Sequence, residues 1–275
     1  MQPLRREAFF LPGAAHGGRF CLLTRAPEPV GSLVFVHAFA EEMNKSRRMV
    51  ALAARAFAER GWNVLQMDLS GCGDSGGELA DVSWGTWIDD LRAAVRWATT
   101  DLRVPVALWG MRLGALVVSD WIKADGTAPP LLLWQPVGNG KQHLTQFLRL
   151  KAAFDMLADA DAKASMDAIR ATLKAGGVVD VAGYRLPAAL ASGMEAATLS
   201  LPAAYAAPVV ALEVAPADRQ EVSPALRVPV DRWANAGTAA RAAVVPGVAF
   251  WQTQEIEVCE PLIEASVEAL KGFVR

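Results

Sequence analysis

The chain has 275 residues, enough to bury one substantial core with an inserted subdomain. It is 53% apolar and carries a formal net charge of −2, which argues against a nucleic-acid partner or a broadly basic membrane-binding face. No run reaches the ~18 apolar residues of a membrane helix, so no membrane span is expected.

In chain order, Glu7–Leu11 and Arg19–Thr24 read as two short strands of an opening hairpin. The basic N-terminus ahead of them lacks the apolar core of a signal peptide. The Gly-rich turn between them carries His16, read as an exposed loop histidine. Ser32–Val36 is a continuous apolar strand, followed by His37-Ala38-Phe39-Ala40 and a charged run from Glu41 to Arg48. Apolar spacing at Met49, Leu52, Ala53, Ala56 and Phe57 predicts a helix that ends before Gly61. Asn63–Met67 is the next strand; it leads into the turn-rich Asp68-Leu69-Ser70-Gly71-Cys72-Gly73-Asp74-Ser75-Gly76-Gly77. Trp84–Thr99 is a helix, Val104–Trp109 a buried strand, and a second helix runs to about Lys123 after a tight turn. Leu131–Trp134 is a strand ending at Gln135-Pro136. Residues 141–206 are Ala-rich and helical in pattern, with no apolar strand run before Val209. Val209–Val214 and Ala242–Val245 resume the strands, and Pro261–Phe273 closes the chain as a helix.

Strands alternating with helices predict right-handed βαβ units and a doubly wound, mostly parallel sheet. The expected domains are a core over 1–140 and 207–275 with a helical cap inserted at 141–206. Cys21, Cys72 and Cys259 are odd in number and lack CxxC spacing. Free thiols in a reducing, cytoplasmic setting are therefore expected. No metal or cofactor motif is present, and none is expected. Trp109, Trp134 and Trp251 fall near strand ends, where pocket walls are expected.

The tight turn is Gly110-Met111-Arg112-Leu113-Gly114. Strand, strained turn with two flanking glycines, then helix is the context of the G-x-S-x-G nucleophile elbow. The residue between the glycines is normally the nucleophile, and here it is Arg112. An arginine cannot be deprotonated in a protein and cannot attack an acyl carbon.

The whole order resembles the α/β-hydrolase superfamily, which implies an α/β-hydrolase fold with an inserted helical cap. More narrowly, HAFAEEMNKSRR, DLSGCGDSGG, GMRLGA, WQPV-x-x-GKQ and PG-x-x-FW-x-TQE resemble the exosortase A system-associated hydrolase 2 family. That family is found with PEP-CTERM sorting and exopolysaccharide genes. Its name implies a hydrolase by analogy of fold, and fold does not fix function. The superfamily's chain order of nucleophile, acid, base puts the acid at Asp218 and the base at Phe250, in Gly247-Val248-Ala249-Phe250. No histidine follows His143, itself out of order and read as a packing or rim residue. Nucleophile and base of a Ser-His-Asp mechanism are thus both replaced.

The resemblance further implies that the oxyanion hole is made by the backbone amides of Phe39 and Leu113. With the helix N-terminus and the Arg112 guanidinium, the elbow would form an anion site. His37, Glu42, Asn44, Lys45, Gln135, Lys141, Trp251 and Gln252 fall at carboxyl ends of strands, where α/β sheets bind ligands. Arg112 either pairs internally with Glu42, Asp218 or Glu255 or contacts ligand; a buried arginine needs a partner. Three functions follow. One is binding of an anionic or saccharide/acyl small molecule without serine-esterase activity. Another is ester or acyl hydrolysis through carboxylate-activated water, with Arg112 steadying the oxyanion. The last is a protein-interaction scaffold.

Overall fold

The computed structural model describes residues 4–12, 17–156 and 162–274. His16 lies outside them, so its reading as a loop histidine is not addressed. The described chain forms an eight-stranded sheet in the order β1-β2-β4-β3-β5-β6-β9-β10. Its strands are β1 (Arg5–Leu11), β2 (Arg19–Arg25), β3 (Gly31–Val36), β4 (Trp62–Met67), β5 (Val106–Met111), β6 (Leu131–Trp134), β9 (Val209–Ala215) and β10 (Ala240–Pro246). β1 and β2 pair antiparallel, β2 runs antiparallel to β4, and every pairing from β4 onward is parallel. Strands β3, β6 and β9 are buried along their whole length and β5 from Ala107 onward, as a parallel sheet covered on both faces requires.

Helices α1 (Glu41–Ala58) and α8 (Glu260–Leu270) cover one face. Helices α2 (Trp84–Trp97), α3 (Gly114–Asp125) and α7 (Pro224–Asn235) cover the other. Under α1 and α8 lies an aromatic layer. Trp109 meets Phe35, Phe57 and Trp134 with ring centroids 4.4, 5.1 and 4.6 Å apart. Trp134 also donates its indole N–H to Ser266 at 2.8 Å. Trp109 and Trp134 are therefore core residues and not pocket walls, as their position at strand ends had suggested. Each ring buries a large apolar area, and the pleat turns both to the same face.

α1 starts directly after Ala40, so the charged run Glu41–Arg48 is helical. Its buried positions, Met43, Ser46, Met49, Val50, Ala53, Ala54 and Phe57, keep the 3.6-residue period through the charges. α7 was not anticipated; Pro224 begins it, while Pro229 lies inside it and obscures its helical pattern.

Between β6 and β9 the chain forms α4 (Gly140–Met156), α5 (Ala162–Lys174), β7 (Val178–Val181), β8 (Tyr184–Pro187) and α6 (Ala188–Ala196). The expectation of a purely helical segment is corrected by the β7–β8 hairpin. Its turn residues Ala182 and Gly183 both have positive φ, 51° and 86°, the geometry of a tight hairpin turn. Alanine conceals that turn in the sequence, and four-residue strands give too short an alternation to read. Among the described residues no helix is long and apolar enough to cross a membrane.

Candidate functional site

The path of the chain reverses at β3. The β3-α1-β4 unit packs to one side, and β5 returns on the other side of β3. This leaves a crevice at the carboxyl ends of β3 and β5, the place where open α/β sheets bind ligands. Among the described residues, three of the six non-glycine positions with positive φ sit around it: Ala40 (53°) beyond β3, Arg112 (53°) after β5 and Gln135 (41°) after β6. Such conformations cost of order 1–3 kcal/mol each and cluster at functional sites. The flanking glycines are forced by approach of backbone. A Cβ on Gly110 would lie 2.9 Å from Ala115 Cα. One on Gly114 would lie 2.6 Å from the His37 carbonyl oxygen and closer still to that of Val36.

Arg112 is the hub. Its Nη2 donates to Glu42 Oε1 at 2.8 Å and its Nε to Oε2 at 3.1 Å, a two-point ion pair. Nη1 reaches the Gln135 carbonyl at 3.5 Å. The guanidinium carbon sits 5.3 Å from the centre of the Trp251 ring, within cation–π range. The two side chains of the pair are 14% and 19% exposed, so water screens them only in part. Of the partners weighed for Arg112, Glu42 is the one found. Phe250 is sealed in the core, its ring 6.3 Å from Trp134 and 5.1 Å from Trp251. The amides of Phe39 and Leu113 donate to no partner among the described residues.

Two hollows meet at Arg112. The larger, of about 420 Å³, is walled by Phe39, Phe147, Leu150 and Trp251, with Lys45 and Gln252 also on its lining. The smaller, of about 240 Å³, is lined by polar groups including Gln135, Gln142, Glu213 and Ser223. Arg112, His143 and Gln146 border both.

Several expected site residues lie elsewhere. His37 is spent on backbone: its Nε2 accepts from Leu69 N at 3.1 Å, which leaves Nδ1 to donate to the Ala38 carbonyl at 2.6 Å. Burial pushes its pKa down, against the Ala38 bond and Asp68, which raise it. It lines a separate hollow between α1 and the sheet. Asn44 is exposed and donates to Tyr184 Oη at 3.0 Å and Glu41 at 3.3 Å. Lys141 points to solvent and pairs with Glu195 at 3.3 Å. Asp218 is exposed on the turn after β9. Gln135 borders the smaller hollow, yet its Oε1 accepts from Val214 N at 2.8 Å.

The structure brings in residues the sequence reasoning did not choose. Glu213, in the apolar strand VVALEVA, is 4% exposed. It accepts from Arg219 Nη2 at 2.9 Å and Ser223 N at 2.8 Å. A lone carboxylate in a buried strand was a readable signal, because such a group needs partners. Tyr184 on the hairpin donates to Glu41 at 3.1 Å. Burial and that carboxylate hold its pKa up at about 12. His143, from the first turn of α4, is 8% exposed, and its ring has no partner among the described residues. Burial depresses its pKa, with Glu42 opposing and Arg112 reinforcing the shift. Among the described residues no group of three or more His, Cys, Asp or Glu could hold a metal ion.

With this geometry in view, the chain can be set beside known proteins. The family profile of serine aminopeptidases, S33, matches residues 27–162, a span that includes the elbow. No match was found among curated proteins. Est1E from Butyrivibrio proteoclasticus, solved with ferulic acid bound, superposes with a TM-score of 0.66 at 17% identity over 93% of this chain and 95% of its own. A thermostable carboxyl esterase from Bacillus coagulans in complex with glycerol gives 0.64 at 12% identity over the whole of both chains. XC6422 from Xanthomonas campestris, described as a serine hydrolase without lid, gives 0.57 at 17% over 99% and 96%. At these identities the likeness concerns the fold. The chain has the α/β-hydrolase fold, and these matches support the α/β-hydrolase superfamily.

Proposed function

We propose that this chain binds a small anionic or saccharide/acyl ligand in the crevice at Arg112 and has no serine-esterase activity. The observation that carries this reading is Arg112 itself. It occupies the strained elbow position at φ 53°, engaged by Glu42 and Trp251 and bordering both hollows. No serine stands there to be activated, and Phe250 supplies no base. What a hydrolase site keeps is its polar frame: two unpaired amides, a helix N-terminus and a fork of donors. Asp218, the degenerate acid position, takes no part in this reading, and Glu42 and Glu213 are the carboxylates nearest the elbow.

The segment 141–206 acts in this reading as a cap, since α4 supplies His143, Gln146 and Phe147 to the hollows. The motif resemblance to the exosortase A system-associated hydrolase 2 group supports a ligand from exopolysaccharide production. The free thiols of Cys21, Cys72 and Cys259 accord with a cytoplasmic setting. Water activation by a carboxylate is less well supported. Glu41, Glu42 and Glu213, the carboxylates lining the two hollows, each accept hydrogen bonds from neighbouring side chains.

The test pairs two assays on purified protein. A fluorophosphonate probe is expected to leave the wild type unlabelled. Calorimetric titration with butyrate, acetyl phosphate and glucuronate is expected to show binding that Arg112→Ala weakens at least tenfold. Labelling of the wild type, or equal binding by the variant, would overturn the reading.

A further inference from the structure

The two hollows at Arg112 differ in chemistry, and the difference specifies more than an anion. The larger presents the rings of Phe39, Phe147 and Trp251 together with Leu150. Such walls accept an acyl or aryl group through buried apolar area. The smaller presents amide and carboxylate groups instead: Gln135, Asn139, Gln142, Gln146 and Glu213. Glu213 spends one oxygen on Arg219 and the other on Ser223 N. A carboxylate has about four acceptor sites, so lone pairs remain for hydroxyl donors. Between the hollows stands His143, buried and without a partner among the described residues. With no bond to a described neighbour, the ring nitrogens are free to donate to or accept from a ligand group.

We infer that the ligand is an amphiphile, an acyl or aryl group joined to a hydroxyl-rich head, with His143 hydrogen-bonded to the linkage between them. The apolar part lies against Phe147 and Trp251, and the head lies against Glu213 and Gln142. The inference rests on the crevice being the ligand site, as proposed above. Burial keeps the imidazole neutral near pH 7. It can then donate through one nitrogen and accept through the other, which suits an ether or ester oxygen with a hydroxyl beside it. Glu42 and Arg112 are the charges that act on it, and Glu41, Lys45 and Glu213 line the hollows it borders.

Joining two fragments avoids a second loss of translational freedom, so a bridging ligand gains well beyond either part. The probe is hexyl β-glucopyranoside, titrated calorimetrically beside 1-hexanol, methyl β-glucopyranoside and butyrate. Hexyl glucoside is expected to bind at least tenfold more tightly than either neutral fragment. Phe147→Ala is expected to weaken hexyl glucoside and hexanol about tenfold and leave methyl glucoside unchanged. Gln142→Ala is expected to do the reverse for the two fragments, and His143→Phe to weaken hexyl glucoside alone. Hexyl glucoside binding no tighter than hexanol would overturn the inference. If butyrate still bound in an Arg112-dependent manner, the anion reading would survive that failure. If no probe bound the wild type, both would fall.

Discussion

At the scale of single residues, Arg112 sits where the chemistry of this fold is usually done. Its charge is matched by Glu42, and its flat face rests on Trp251. Arg112→Ala would leave the Glu42 carboxylate without its donors in a site shielded from most water. Removing one partner of a fully buried pair costs about 3–5 kcal/mol, and this pair is partly exposed, so about 2 kcal/mol is expected. Urea denaturation measures it. Arg112→Lys should recover only part of that loss, because an ammonium cannot span both carboxylate oxygens. Arg112→Ser places a hydroxyl at the elbow but brings no base, since the side chain at 250 is a core phenyl ring. The variant is expected to stay inert toward short nitrophenyl esters and fluorophosphonate; clear labelling would show that some other base reaches the elbow.

Single elements set how firmly these residues are held. The β5–α3 turn works because Gly114 lets the helix start against the carbonyls of Val36 and His37. Gly114→Ala would force backbone apart at the centre of the sheet. A loss of at least about 2 kcal/mol is expected, with disturbance of Phe39 that amide exchange at the crevice would reveal. α2 shows the milder case. Ser83 and Thr86 form a reciprocal cap at its N-terminus, with Ser83 Oγ accepting from Thr86 N at 3.1 Å. Ser83→Ala should cost about 1 kcal/mol in thermal or urea unfolding without changing ligand binding at the crevice. A larger loss would mean that α2 is less well supported by its packing on α3 than the buried Trp87 and Leu91 suggest.

Across the whole molecule, acid sensitivity follows from two buried histidines. His37 and His143 are both held below the ordinary imidazole value, chiefly by burial. As pH falls, the unfolded chain therefore takes up protons before the folded one does. Their contribution is intact above about pH 6.5 and is lost progressively below it, toward the depressed folded values. The melting temperature should drop between about pH 6.5 and pH 5. His37→Gln should flatten that slope while lowering the plateau, because the Leu69 and Ala38 backbone bonds are disturbed. An unchanged slope would place the sensitivity elsewhere, in His143 or in the paired carboxylates.

The βαβ alternation and the elbow with Arg112 in the nucleophile's place are legible along the chain. Hydrophobic period and paired glycines are local properties, and a local reading recovers them. The hairpin β7–β8 and helix α7 escaped it because an alanine in a left-handed turn and a proline inside a helix both contradict local preference. Which polar groups are free is settled by the packing of the folded chain. His37 and Asn44 looked like ligand contacts from their place after a strand, and both are committed to neighbours close in space. Lys141 is drawn away by Glu195, a partner 54 positions along the chain. His143 reads as a packing or rim residue and Glu213 is not singled out by its pattern, yet α4 and β9 place both on a hollow that Arg112 borders. Whether a side chain faces a ligand depends on what else has satisfied it, and those partners are set by long-range packing, to which spacing along the chain is blind.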